Sequence, residues 1–553
     1  MISYLEGKNL YIVPDKVINM LSRYRINFHN VRYSVCVALF SILLVGCDLN
    51  STENLIVESA QPDLNNSSIF TPSPENISSV LDACDLEAQE SVLISDLIPN
   101  WNTLPLSACY ELWLNLHDDS TEYDGKAIIT YSNLTDETLT DLVFRLFPNS
   151  KRVYGGDLVV TSAHVDGTQV VPEVFLADKT GLRLSLDESI KPGDSAVIEL
   201  EFDGNLTDDL ENSPDTYGIF NYAEEDNLVT LANWYPILAV RENGQWQAEP
   251  VVGVGDAVVS EVGLYLVEVT TPGDMQIATT GSSIQHSTND NSEVYRFASG
   301  PVRDFTISAS SNFILVQTDA DGVKIKQWGL PGGEQRWEEG LQASVDSLAV
   351  FNELIGPYPY KEMDIVSVPL QRASGVEYPG LILMKDELYH LDSERPYLLT
   401  TIMSHEVAHQ WWYAIIGNDV IEHPWQDEAL TTFSSLLYLE QFQPQVYDGT
   451  VDYFRNSAEE VEMIRENTDI GQPVSSFKDQ PAEYSPVIYS KGSIFFVELR
   501  NKIGDRAFFQ TLQEYFSQNL YRIASPENLL EEFEKACQCD LSEFYEQWGV
   551  ESK

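Results

Sequence analysis

Between residues 105 and 310 the apolar positions come in short blocks rather than at helical spacing. Residues 126–131, 142–147 and 196–202 are β-branched or aromatic runs, separated by turn formers such as Lys191-Pro192-Gly193-Asp194. This pattern predicts an all-β domain, a curved sheet or sandwich, over 105–310. Beyond residue 311 the period changes. A strand at 322–326 is followed by apolar residues at helical spacing over 335–354, then a Pro-rich stop at 356–360 and a strand at 363–368. A second helical pattern runs over 395–416, a turn occupies 418–424, and another amphipathic helix starts at Pro424. The expected class is multidomain α+β: an all-β domain, then a mainly helical domain over 311–553.

The N-terminal hundred residues follow a different logic. An apolar run at 34–46 is too short to span a bilayer comfortably and has the length of a signal-peptide core, with Arg23, Arg25 and Arg32 before it. It ends in small residues before Cys47, which resembles the bacterial lipobox. That resemblance implies cleavage before Cys47, a lipid on its thiol and an extracytoplasmic, membrane-anchored protein. An uncleaved anchor and an ordinary secretory signal are the alternatives, and Met20 is a second candidate start. Residues 1–47 are thus read as a signal segment. Residues 48–104, rich in Ser, Asn, Pro and acids, are read as a disordered linker, because such a stretch buries too little apolar surface to offset its ordering entropy. Export permits disulfides among Cys84, Cys109, Cys537 and Cys539. Cys84 with Cys109 would staple linker to β domain, whereas Cys537 and Cys539 read as simple surface or partly buried cysteines rather than a second metal site, the pairing of all four being left open.

Charge narrows the partners. With 86 acidic and 32 basic residues the formal charge is −54. Such a surface repels nucleic acid and anionic lipid, so nucleic-acid binding is excluded as a working reading. A hydrophobic fraction of 43% with 11% aromatics still argues for a folded protein.

The densest chemistry lies in the second half. His405 and His409 are four residues apart in a helical pattern, so both imidazoles leave one face and can grip one ion. Glu406 is turned about 100° round the helix, off the metal and toward a water that the metal activates, as a general base would be. Glu428, separated from His409 by 18 residues, supplies a carboxylate from the next helix. Two imidazoles and one carboxylate with an open position suit a single catalytic zinc ion. His423 reads as a turn or rim residue, and Asp427 and Asn418 as candidates to orient an imidazole. H-E-x-x-H alone arises by chance in about one chain in a hundred, so the helical context and the distant carboxylate carry the weight.

His405-Glu406-x-x-His409-Gln410-Trp411 with Glu428 in Trp-x-Asp-Glu resembles the aminopeptidase N family of zinc peptidases, the gluzincins. The resemblance covers residues 105–553. It implies a thermolysin-like catalytic domain behind the β domain, peptide substrates, and hydrolysis from a free N-terminus. Residues 374–378 resemble the family's Gly-Ala-Met-Glu-Asn segment, Glu377 being the one identical residue. There Glu377 would hold the substrate's amine, while Gly375 lets an extended backbone pass. Residues 489–492 resemble its Tyr-x-Lys-Gly segment, which gives Tyr489 the oxyanion, with Tyr484 as nearest competitor. The family also draws a Gln or Glu from the β domain, for which Glu224 and Glu225 are weak candidates. The chain looks like a two-domain version with a more open channel. An endopeptidase or other hydrolase on the same site, and a catalytically silent lipid-anchored binding protein, are the rival functions. The sequence carries no signal of oligomeric state.

Overall fold

The computed structural model describes residues 80–118, 121–208, 210, 216–289, 291–390 and 397–550. The signal segment with Cys47, the alternative start at Met20 and the first part of the linker lie outside the described residues. Residues 70–553 form one compact unit. No helix among the described residues is long and apolar enough to cross a membrane.

The β-rich half is built on an eight-stranded sheet in the order Ser282–Asn289, Ser292–Val302, Gly263–Pro272, Ala108–Leu116, Glu122–Ser132, Ser195–Asn205, Asp157–Val165 and Thr168–Gln169. The pairing of Ala108–Leu116 with Gly263–Pro272 is parallel and its neighbours are antiparallel. Two four-stranded sheets complete the half. Alternation does the work here: in Ser195–Asn205, Ala196, Ile198, Leu200 and Phe202 are buried while the residues between them are more exposed.

A separate five-stranded sheet begins the catalytic half, in the order Ile314–Ala320, Val323–Gly329, Glu362–Val368, Leu381–Lys385 and Gly375–Tyr378. Helix Glu334–Leu354 packs on it, and the rest of the chain is mainly helical. Gly375–Tyr378 pairs only with Leu381–Lys385, so it is the sheet's edge strand.

Three expectations change. The segment read as disordered linker is ordered from residue 80 onward: Val80, Val92, Leu93 and Trp101 are buried and Leu86–Ser91 is a short helix. Gln89 donates to the Tyr265 carbonyl and accepts from Gly300 N in the β half. Ile94 N donates to the Pro359 carbonyl and Lys361 N to the Val92 carbonyl in the catalytic half. A few apolar side chains in a polar stretch suffice when both flanking surfaces are preformed. Cys84 is joined to Cys109, and Cys537 to Cys539, so the latter two are a bonded pair rather than simple cysteines.

The motif helix is the third change. It spans Leu398–Ala408 rather than 395–416, residues 391–396 lying outside the described residues. After His409 the chain leaves the helix although Trp411, Trp412, Ala414, Ile415 and Ile416 keep an apolar pattern. The fully buried Arg303 holds the chain on this path: it donates to Tyr413 O at 2.6 Å and Ile415 O at 3.3 Å, and ties them to Arg522 O at 2.7 Å and Ser260 O at 2.8 Å. Gly417 is required beside it, because a Cβ there would lie 2.3 Å from the guanidinium carbon. A tertiary cation thus overrides local periodicity.

Candidate metal centre and substrate cavity

His405 lies in the last turn of helix Leu398–Ala408, His409 caps it, and Glu428 is the fifth residue of helix Pro424–Phe442. The motif residues that follow lock these elements together. Gln410 donates to the Tyr378 carbonyl and accepts from Gly380 N, tying the helix end to the edge strand. Trp411 Nε1 donates to the Gly356 carbonyl, and Trp412 Nε1 to Ser434 on the second helix.

The ligand atoms form a nearly equilateral triangle. His405 Nε2 and His409 Nε2 are 3.2 Å apart, and each is 3.4 Å from Glu428 Oε2. A tetrahedral ion with bonds of about 2.05 Å separates its ligands by about 3.3 Å, so the triangle fits zinc without rearrangement. Glu428 Oε2 is buried and has no hydrogen-bond partner in the chain, as an oxygen reserved for a cation would be. His409 Nδ1 meets Asp427 Oδ1 at 2.7 Å, which directs Nε2 to the ligand position. Asp427 therefore takes the orienting place. Asn418 does not, since it donates to the His423 carbonyl, and His423 joins neither the ligand set nor the cavity wall.

Electrostatics point the same way. Burial and the nearby carboxylates Glu377, Glu428 and Asp427 hold Glu406 well above the ordinary carboxyl range. Burial and the same neighbours push Glu377 up to about 7 against the pull of His409, and burial pushes Asp427 up to about 6. Glu428 alone is held low: burial opposes its charge, but the two imidazoles beside it prevail. So many buried acids around one point await a divalent cation, which would favour their charged forms.

A cavity of about 1220 Å³ opens on this centre and takes walls from both halves of the molecule. Glu377 and Gly375 lie on its edge-strand wall. A Cβ at Gly375 would fall 2.3 Å from the Glu406 carboxyl carbon, so this glycine makes room for the acid. Tyr489 sits in a π-helical turn, Pro486–Lys491, its ring stacked on His405 at 5.8 Å and its hydroxyl donating to Glu428 Oε1. A π-turn at this place had no marker in the sequence. Tyr484, buried with an unpartnered hydroxyl, packs edge-on to Tyr489 at 5.8 Å.

Glu224 and Glu225 are exposed on a turn outside the cavity wall. The β half instead contributes Asp256, which lines the cavity and is raised well above the ordinary range by burial, Glu377 and Glu428. It lies in the irregular stretch between strands, where only the dipeptide Gly255-Asp256 hinted at a turn. Tyr484 also explains Gly255, where a Cβ would lie 2.6 Å from the phenol oxygen.

Comparison with known proteins agrees with this geometry. Residues 340–548 match the peptidase family M1 domain. Residues 340–548 of this chain thus carry a peptidase family M1 domain. It is similar to Aminopeptidase 2 of Candida albicans, 21% identical over 71% of this chain and 42% of that protein. To Aminopeptidase N of Lactobacillus delbrueckii subsp. lactis it is 21% identical, over 79% of this chain and 50% of that one. This chain thus spans half or less of the length of these curated relatives. Among solved structures, an M1 zinc metallopeptidase from Deinococcus radiodurans superposes with a TM-score of 0.60 at 19% identity, covering 81% of this chain and 95% of that one. A two-domain M1 zinc metallopeptidase mutant bound to L-arginine superposes with a TM-score of 0.58, covering 82% and 96%. The two-domain M1 fold is therefore the fold of this chain.

Proposed function

We propose that this chain is a zinc-dependent aminopeptidase that releases N-terminal residues from peptides. The observation that carries this is the placement of Glu377 and Asp256, acids from the catalytic and β halves, in the same cavity as Glu406 and the His405–His409–Glu428 triangle. A cationic amine held by these acids puts the first peptide bond, rather than an internal one, over the triangle. Zinc on the three ligands would supply Lewis acidity, lowering the pKa of water and polarising the scissile carbonyl. Glu406 takes the proton of the attacking water on its carboxylate and delivers it to the leaving nitrogen. Tyr489, once its hydroxyl turns from Glu428, donates to the oxygen that gains charge. Gly375 and the edge strand guide the backbone.

The test is hydrolysis of tripeptides, free and N-acetylated, by the zinc-loaded protein and by Glu406→Gln. Cleavage confined to free amines, and a hundredfold or greater loss in the variant with zinc content unchanged, is expected. Equal cleavage of acetylated peptides would make it an endopeptidase, and zinc without turnover would leave a binding protein.

We also infer that the protein works outside the cytoplasm, tethered by a lipid on Cys47. Support comes from the apolar run ending at that cysteine and from the two disulfides, which persist in oxidising compartments. Loss of membrane association in Cys47→Ala, read by fractionation, is the expected result.

A further inference from the structure

Helix Pro444–Glu462 lends the cavity an uncharged face. Among the described residues that line the cavity, this face runs from Gln445 to Ser457 through Val446, Gly449, Tyr453 and Phe454, while Asp448, Asp452, Arg455 and the glutamates of the helix all fall outside it. In a chain of formal charge −54, such a wall is not what composition alone would produce. Gly449 is its most telling residue. It sits inside the helix with no positive φ, and a Cβ there would meet nothing within 4 Å. Neither a turn nor a close approach requires glycine, which weakens a helix interior relative to alanine. What it leaves is open space on the cavity side.

Helix Leu398–Ala408 adds a second uncharged stretch. Leu398, Thr401 and Ile402 stand at helical spacing from His405, are half-buried and line the same cavity. The ligand helix Pro424–Phe442 packs against both helices and adds Thr432 and Ser435 to the lining. The direction of the substrate decides what these stretches meet. A carboxylate oxygen of Glu377 lies within 4.8 Å of an imidazole nitrogen of His409, so the amine is held at the His409 end of the motif helix. With the first peptide bond over the triangle, the chain beyond that bond runs on past His405 toward Ile402 and Leu398.

We propose that the residue following the scissile bond sits between helices Leu398–Ala408 and Pro444–Glu462, that this subsite takes a large uncharged side chain, aliphatic or aromatic, and that Gly449 sets the size it admits. This rests on the aminopeptidase reading above. Exposed Tyr453 and half-buried Ile402, Val446 and Phe454 supply the apolar contact. A lysine in the same place would lose water and find no carboxylate on either stretch. Covering a leucine or phenylalanine side chain in place of glycine is worth about tenfold in kcat/KM.

The experiment measures kcat/KM for Ala-Gly-amide, Ala-Leu-amide, Ala-Phe-amide and Ala-Lys-amide in the zinc-loaded full chain and in its Gly449→Ala and Gly449→Leu variants, with zinc content and melting temperature of each. The leucine and phenylalanine substrates should exceed the glycine one by about tenfold, with the lysine substrate below both. The phenylalanine-to-glycine ratio should decline with the volume placed at 449, by about tenfold in Gly449→Leu, while the melting temperature of Gly449→Ala holds or rises. A merely structural glycine would give the opposite result, a lowered melting temperature with every substrate slowed alike and the ratio unmoved, and that would overturn the proposal. A lysine substrate at or above the phenylalanine one, the order that general attraction to an acidic cavity would give, also overturns it. If none of the four is hydrolysed, the aminopeptidase reading falls and this one with it, whereas hydrolysis of all four at equal rates sinks the subsite alone.

Discussion

Gly375 shows how one absent side chain shapes the centre. Glu406 occupies the space a Cβ would take, so Gly375→Ala must displace the carboxylate or the strand. Misplacement of a catalytic group by about 1 Å costs on the order of a hundredfold. Gly375→Ala should therefore lose turnover by at least that factor while zinc content, measured by atomic absorption, stays at one per chain. At this scale the sequence was informative wherever spacing encodes geometry. The ligand pair and Glu428 needed only helical periodicity and a count of intervening residues. Asp256 was illegible because nothing in its neighbourhood repeats, and it meets Glu377 only after two sheets and a change of domain have been folded. Tyr489 was visible through its motif, but the π-turn that presents it was not.

At the scale of elements, the strands and the two long helices before and after the motif could be read from periodicity alone. Helix Glu334–Leu354 begins one residue before the expected 335, and Pro424 does open the ligand helix. The motif helix could not be delimited, since its end is decided by Arg303, about a hundred residues earlier. The neighbouring Asp304 belongs to the same junction and accepts from the Tyr413 hydroxyl. Burial pushes Asp304 up to about 7, against the opposing pull of Tyr413 and Arg303. In the unfolded chain the carboxyl titrates near 3.9. The folded form thus keeps a proton that the unfolded form has released between these values, and folding loses stability as pH rises from about 4 to about 7. Beyond that the loss is complete and constant, on the order of 4 kcal/mol at most. Asp304→Asn keeps an acceptor for Tyr413 and removes the titration. Its melting temperature relative to the parent should climb through this window and level off above it, as read by calorimetry at fixed zinc.

For the whole molecule, the charge of −54 makes ionic strength a variable of the fold. Screening shortens the range of repulsion from about 10 Å at 0.1 M to about 3 Å at 1 M salt. The melting temperature should rise over that interval, and a flat or falling curve would mean that the acids are already offset by local partners. Composition misjudged where order begins, because it averages over a stretch in which a handful of buried side chains do the holding. That ordered stretch, residues 80–104, has its own consequence. It grips the β half through Gln89 and the Cys84–Cys109 bond and the catalytic half through Ile94 and Val92, so it works as a seat belt across two bodies that share one cavity. A chain begun at residue 105 would keep every group of the active centre and lose the buckle, leaving the two cavity walls to drift and the amine anchors Asp256 and Glu377 to part company.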